Sequence, residues 1–239
     1  HIDYVAGYET AGPPFIGQSL KGTLSLLKAM FQWARNRTGP FTTPYAEAGG
    51  FARTRPDIAV PDIQFHFVPA LLEDHGRTKV KAHGFSCHVC VLRPESRGTV
   101  RLASADSAAA PLIDPGFLAD DRDMATLLDG VKLMRRILEA PPLAAYGGRD
   151  RHMAGIDGDA AMIEAIRNRA DTVYHPVGTC RMGADGDAVV DTRLRVNGVE
   201  GLYVADASIM PRLVSGNTNA PSIMIGTRCA DFVMVDLGA

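Results

Sequence analysis

The chain is short of several things, and each shortage closes off a line of explanation. Its net charge of −2 and pI near 6.4 give no basic face of the kind nucleic acid demands. Charges of both signs are mixed along it, with no acidic or basic tail. No apolar run approaches the roughly 18 residues of a membrane span. The opening His1-Ile2-Asp3-Tyr4 does not resemble a secretory leader, so a cytoplasmic protein is expected. Cysteine is scarce too: 4 in 239 residues cannot build a disulfide framework. Cys87 and Cys90 form a Cys-x-x-Cys without a second pair to complete a tetrahedral metal site. They lie in the strand-like run Gly84–Leu92, where positions i and i+3 face opposite sides, so they read as structural and no metal is expected. The most telling absence is the Gly-x-Gly-x-x-Gly fingerprint that cradles a dinucleotide pyrophosphate; no glycines stand in that arrangement.

What is present suffices for a core, at 46 % hydrophobic residues, and the length permits one or two domains. The opening alternates as a strand, with Tyr4, Ala6 and Tyr8 on one face, until Gly12-Pro13-Pro14 breaks it. From Gln18 to Trp33, Leu20, Leu24, Leu27, Met30 and Phe31 make a helical stripe that reads as ordinary core. Strands are expected at 47–54 and at Asp62–Val68, where Gln64 and His66 share a face and, by pattern alone, point to solvent. Residues 73–83 read as a mobile charged loop, and 85–93 with 98–103 as two strands joined by a turn. Asp120 and Asp121 are N-cap candidates for a helix carrying Met124, Leu127, Leu128, Val131, Met134, Ile137 and Leu138, which Pro141-Pro142 stops. Asp159 is expected to cap a shorter helix, and Asn197-Gly198 to make a turn. Strands followed by separate helices predict an α+β fold with an antiparallel sheet flanked by helices.

The stretch Tyr174-His175-Pro176-Val177-Gly178-Thr179 organises the rest. Pro176 biases His175 out of helix into extended or turn backbone, and turn formers follow. Downstream come Val204-Ala205-Asp206, expected to be a short buried strand, and then Asn217-Thr218-Asn219-Ala220-Pro221. Asn219 is expected to cap a final helix over 221–235, with Pro221 in its first turn. Asp206 would be an odd residue to bury in a strand without a partner.

Together, His175-Pro176-x-Gly178-Thr179-x-x-Met182-Gly183, Val204-Ala205-Asp206-Ala207-Ser208 and Asn217-x-Asn219-Ala220-Pro221 resemble the C-terminal signature of the glucose–methanol–choline (GMC) oxidoreductases. The resemblance extends upstream through Ser96-Arg97-Gly98-Thr99 and Pro111-Leu112-Ile113-Asp114-Pro115, over nearly the whole chain. It implies a substrate-binding domain at 1–182, a returning segment of the FAD-binding domain at 183–239, and a missing N-terminal FAD-binding region as partner. It further implies that the chain alone lacks most of the FAD site, and with it FAD.

By the same resemblance, His175 is the catalytic base that takes the proton of a small alcohol, Asn217 holds the alcohol oxygen, and His66 lines the substrate pocket. Asp206, Ala207, Asn219 and Pro221 would contact FAD, which accepts the hydride no side chain can take. Histidine suits that base role at neutral pH. The Asn217-x-Asn219-Ala220-Pro221 version resembles choline- and alcohol-dehydrogenase-like members more than sugar oxidases. Two alternatives stand beside this: a relative that cleaves hydroxynitriles with FAD only structural, and a catalytically inactive substrate domain. The sequence names neither the alcohol, the electron acceptor nor the oligomeric state.

Overall fold

A computed structural model describes residues 1–238 apart from Pro13 and Gln18, so the expected helix start at Gln18 and part of the Gly12–Pro14 break lie outside the described residues. In chain order the elements are β1 (Ile2–Thr10), α1 (Leu20–Asn36), β2 (Ala48–Ala52), β3 (Ile63–Val68), β4 (His83–Val91), β5 (Thr99–Arg101) and β6 (Leu112–Asp114). There follow α2 (Asp121–Leu138), α3 (Pro141–Ala144), β7 (Arg149–Asp150), α4 (Asp159–Arg167), β8 (Asp171–Thr172) and α5 (Asn219–Asp236). The chain divides into two compact units: residues 1–2, 92–123 and 172–239 form one, residues 3–91 and 124–171 the other.

The second unit holds the antiparallel sheet, ordered β2-β3-β4-β1-β7. Strand alternation sorts its side chains in two. One face carries Tyr4, Ala6 and Tyr8 opposite Val89, Cys87 and Phe85, with Phe65 and Phe67 beyond. Phe85 is the hub, its ring 5.4 Å from Tyr8, 4.8 Å from Phe15 and 5.4 Å from Phe67. Gly130 lets α2 approach this face: a Cβ there would fall 2.9 Å from Val89 Cγ2 and 3.4 Å from Ile63 Cγ2. That closeness explains a glycine in mid-helix, where it costs about 1 kcal/mol relative to alanine. Along α2, Met124, Leu127, Leu128, Val131, Met134 and Leu138 are buried as their period predicts, whereas Ile137 of the same stripe is 42 % exposed. Asp120 caps it, accepting from the Arg122 N–H at 2.9 Å.

The other face is polar without being wet. Asp3, Gln64 and Ser86 are buried and His66 is half-buried, so the solvent-facing reading of Gln64 and His66 is corrected. His88 Nδ1 lies 2.6 Å from Asp3 Oδ2. Cys87 and Cys90 fall on opposite faces as alternation requires, and burial pushes both thiols up to about 12.

Three further expectations are corrected in this unit. The stripe of α1 is not core: Leu20, Leu24, Leu27, Met30 and Phe31 are all exposed, while Gly22 and Ala29 are buried. The helix begins at Ser19, whose Oγ accepts from the Gly22 N–H and donates to His83 Nε2, while His83 Nδ1–H donates to the Phe15 carbonyl. Asp159 is the first residue of α4 rather than its cap; that position is Gly158, and Asp159 pairs with Lys132 at 2.7 Å. Nor is the charged segment after residue 72 loose at its start. The Glu73 carboxylate meets His152 at 2.7 Å and Arg169 at 3.0 Å.

That cluster has a pH consequence. The Gly7 N–H donates to His152 Nδ1 at 3.3 Å, which leaves Nε2–H to donate to Glu73. Burial lowers the His152 pKa below its ordinary 6.5 despite Glu73 beside it. Burial alone would raise the Glu73 carboxyl, yet hydrogen bonds from Arg169 and His152 outweigh it and hold the group below 4.5. Both folded pKa values are depressed, so both contributions are present at high pH and lost on acidification, His152 first and Glu73 below it. Glu73→Gln should therefore flatten the loss of denaturant midpoint between about pH 5 and pH 3, relative to the native chain. Parallel curves for the two proteins would refute this.

In the first unit, β5 pairs with β6 rather than with β4. The hairpin expected from 85–93 and 98–103 does not form. Gly98 explains the partner, because a Cβ there would sit 2.1 Å from the Asp114 carbonyl oxygen. Asp123, buried in the first turn of α2, accepts from the Glu95 and Ser96 backbone N–H groups at 2.8 and 2.9 Å and from the Ser96 hydroxyl.

Candidate active site

The core of the first unit is a cluster of Val190, Leu194, Ile209, Met210, Ile225 and Cys229, with Val177 and Met182 packed against it. It fixes the loop after His175 to the start of α5. The Cys180 and Met182 N–H groups donate to the carbonyls of Ser208 and Ile209, pinning that loop to the short 3-10 turn Ala207–Ile209.

His175 and Asn217 come together. Asn217 Nδ2 lies 2.9 Å from His175 Nε2, although 42 residues separate them. Thr218, buried between the two asparagines, holds the other ring nitrogen: its Oγ1 is 2.9 Å from Nδ1 and its backbone N–H donates to Nδ1 at 3.3 Å. The imidazole therefore has two patterns. With Nδ1 protonated it donates to Thr218 Oγ1, the bond from the Thr218 N–H is given up, and Nε2 accepts from the Asn217 amide. With Nδ1 bare it accepts from Thr218, and Nε2 carries the proton. Only the first leaves a lone pair at Nε2.

Both Tyr174 and His175 adopt left-handed backbone, φ 69° and 61°. Pro176 disfavours helix for His175 as expected, but this conformation costs a residue with a side chain about 1–2 kcal/mol. Neighbours hold it: the Val173 N–H donates to the His1 carbonyl, and the His1 backbone nitrogen donates to the Tyr174 carbonyl at 3.2 Å. The His1 ring stands edge-on to that of His175, centroids 5.9 Å apart, with its Nε2 2.9 Å from the Gly216 carbonyl.

Thr218 and His1 were missed by sequence reasoning. Thr218 carried no signal of its own beside two asparagines, and the partners of His1 lie 173 and 215 residues away in sequence.

Two local expectations fail here. Residues 204–206 form no strand, and Asp206 is exposed, as N-cap of the 3-10 turn with its Oδ1 accepting from Ser208. Its puzzle therefore dissolves: it was never buried. At α5, Thr218 rather than Asn219 is the cap residue, Asn219 begins the helix, and Pro221 sits in the first turn. The Thr218 side chain is turned to His175 instead of capping. His66 lies in the second unit, its ring edge-on to His88 at 6.5 Å; burial lowers its pKa and His88 adds to that.

The start of α5 carries no acidic residue and no side-chain cap, so its partial positive charge is not neutralised from within the helix. The exposed carboxylate of Asp206 is of a kind that accepts from hydroxyls, and a helix start of this kind suits an electron-rich group.

A family model described as GMC oxidoreductase matches residues 94–226. The chain belongs to the GMC oxidoreductase family. Among curated relatives of this GMC chain, alcohol dehydrogenase [acceptor] of Pseudomonas putida is 44 % identical over 209 residues, covering 87 % of the chain and 38 % of the relative. Oxygen-dependent choline dehydrogenase of Cronobacter sakazakii is 41 % identical, covering 97 % and 41 %. The chain thus spans about two fifths of the length of the curated relatives it matches. Formate oxidase of Aspergillus oryzae RIB40, a structure whose subject is FAD modification, shares the fold with a TM-score of 0.85 at 22 % identity, covering 99 % of this chain and 46 % of its own. Pyridoxine 4-oxidase from Mesorbium loti superposes with a TM-score of 0.72 at 25 % identity, covering 97 % of this chain and 42 % of its own. The expected antiparallel sheet with flanking helices is what these GMC neighbours share.

Proposed function

We propose that this chain supplies the proton-handling part of an FAD-dependent oxidoreductase acting on a primary alcohol, with residues 1–182 as its substrate-binding part and 183–239 as the returning part of its FAD-binding domain. One observation carries the reading: His175 Nε2 and the Asn217 amide stand 2.9 Å apart. They are the two groups an alcohol needs at one oxygen, a lone pair for its proton and an N–H for the charge left behind.

In the base form, Thr218 Oγ1 accepts from His175 Nδ1–H and fixes which way Nε2 points. His175 Nε2 takes the hydroxyl proton as the carbon–hydrogen bond breaks. The Asn217 amide, which cannot itself take a proton, donates to the growing alkoxide. FAD, when bound, supplies the hydride acceptor that side chains lack. The exposed carboxylate of Asp206, with Ala207 beside it, would hold its sugar hydroxyls, and the α5 start at Asn219 and Pro221 would face its electron-rich edge. His66, half-buried on the polar sheet face and favoured in its neutral form, would line the alcohol pocket. Resemblance to choline- and alcohol-dehydrogenase relatives supports the substrate class.

The test is anaerobic mixing of the whole, flavin-loaded protein with short primary alcohols and choline. Bleaching of the flavin absorbance by at least one of them is the expected result. A flavin that stays oxidised with all of them, in a protein that still binds FAD, would overturn the redox reading.

A further inference from the structure

Asn217 stands between two residues that are each tied to something else. On its C-terminal side, Thr218 meets His175 Nδ1 through its hydroxyl and its backbone N–H. On its N-terminal side, the Gly216 carbonyl lies 2.9 Å from His1 Nε2. A carbonyl has no proton to give, so His1 Nε2 carries one and donates it. His1 is 6 % exposed. Its backbone nitrogen donates to the Tyr174 carbonyl at 3.2 Å, and its own carbonyl accepts from the Val173 N–H. One buried residue of the first unit thus touches the position just before His175 and the position just before Asn217. Both of those positions have costly backbone: Tyr174 at φ 69°, and Gly216 at φ 147°, where a side chain would be strained. Such conformations persist only where their surroundings over-determine them.

We propose that His1 is a positioning residue that keeps the Asn217 amide on His175 Nε2. The inference rests on the roles proposed for that pair. The two attachments of His1 differ in kind. Its backbone bonds to Val173 and Tyr174 survive any change of side chain, whereas its hold on Gly216 is made by the ring. With the ring cut away, the Asn217 amide keeps its anchor at Thr218, loses the one at Gly216, and turns off Nε2. The alkoxide then forms without its donor.

The experiment takes the whole, flavin-loaded protein with His1→Ala and reduces it anaerobically with an alcohol that the native protein oxidises. The limiting rate of flavin reduction should fall roughly tenfold to a hundredfold, the scale of about an ångström of misplacement. The alcohol concentration giving half that rate should stay near the native value, because the amide is called on as the alkoxide forms. His1→Gln restores a side-chain N–H for the Gly216 carbonyl and should recover most of the rate. His1→Phe keeps a ring without a donor and should be as slow as alanine; it also fills the buried position should alanine fail to fold. In H1A with N217A the rate should equal that of N217A alone, since His1 acts through that amide. A crystal structure of H1A or H1F, which needs no turnover, should show the amide out of hydrogen-bond reach of Nε2. An amide still 2.9 Å from Nε2 overturns the proposal. So does a glutamine variant as slow as phenylalanine, or a full further loss in the double variant. An amide that has moved off while the flavin is reduced at the native rate upholds positioning by His1 and overturns the role proposed for Asn217 instead.

Discussion

With His175 replaced by alanine in the whole protein, flavin reduction by an alcohol should slow by about a hundredfold or more, the usual scale for a positioned base. FAD absorbance should survive, because the side chain removed is not among those proposed to hold the cofactor. His175→Gln is the informative companion. Its amide can still bond Thr218 or Asn217, yet it cannot take a proton, so it should be nearly as slow as alanine. Stopped-flow reduction under anaerobic conditions reads both. If either variant reduces at the native rate, the base lies elsewhere, and the 2.9 Å contact with Asn217 has another purpose.

Asp123→Ala should cost about 3 kcal/mol of stability, read as a shift in urea midpoint. The residue is 2 % exposed and receives three donors from Glu95 and Ser96. Alanine would strand those donors, and each buried unpaired group costs about 1–3 kcal/mol, less whatever water recovers. Asp123→Asn keeps one acceptor oxygen and should regain part of the loss. A cost below 1 kcal/mol for alanine would mean that the Ser96 turn holds by other means.

These two sites differ in how they could be read beforehand. His175 and Asn217 stood out because the residues around them are turn formers and amides, poor material for a core. Their convergence was an expectation, and the contact between them is the geometry it required. Ser96-Arg97-Gly98 stood out as well, but nothing local tied it to Asp123 or tied Gly98 to the Asp114 carbonyl. Such partners are set by tertiary packing, to which a pattern of adjacent letters is blind. Periodicity served the long elements: β1, β3, β4 and α2 lie close to where their apolar repeats placed them. It failed on direction at α1, since a 3.6-residue repeat marks an apolar side without saying whether anything covers it. It failed at 204–206 too, where a short apolar run reads the same whether it joins a ladder or, as here, leads into a 3-10 turn.

The left-handed pair at Tyr174 and His175 ties the candidate base to the core beneath it. A loop kept in a costly shape relaxes as soon as its surroundings slacken, and Val177, two residues on, rests on the cluster around Val190 and Ile209. If His175 is the base proposed above, warming or a cavity there would disarm the imidazole before the fold is lost, and failing turnover would be the first sign of wear in the whole protein.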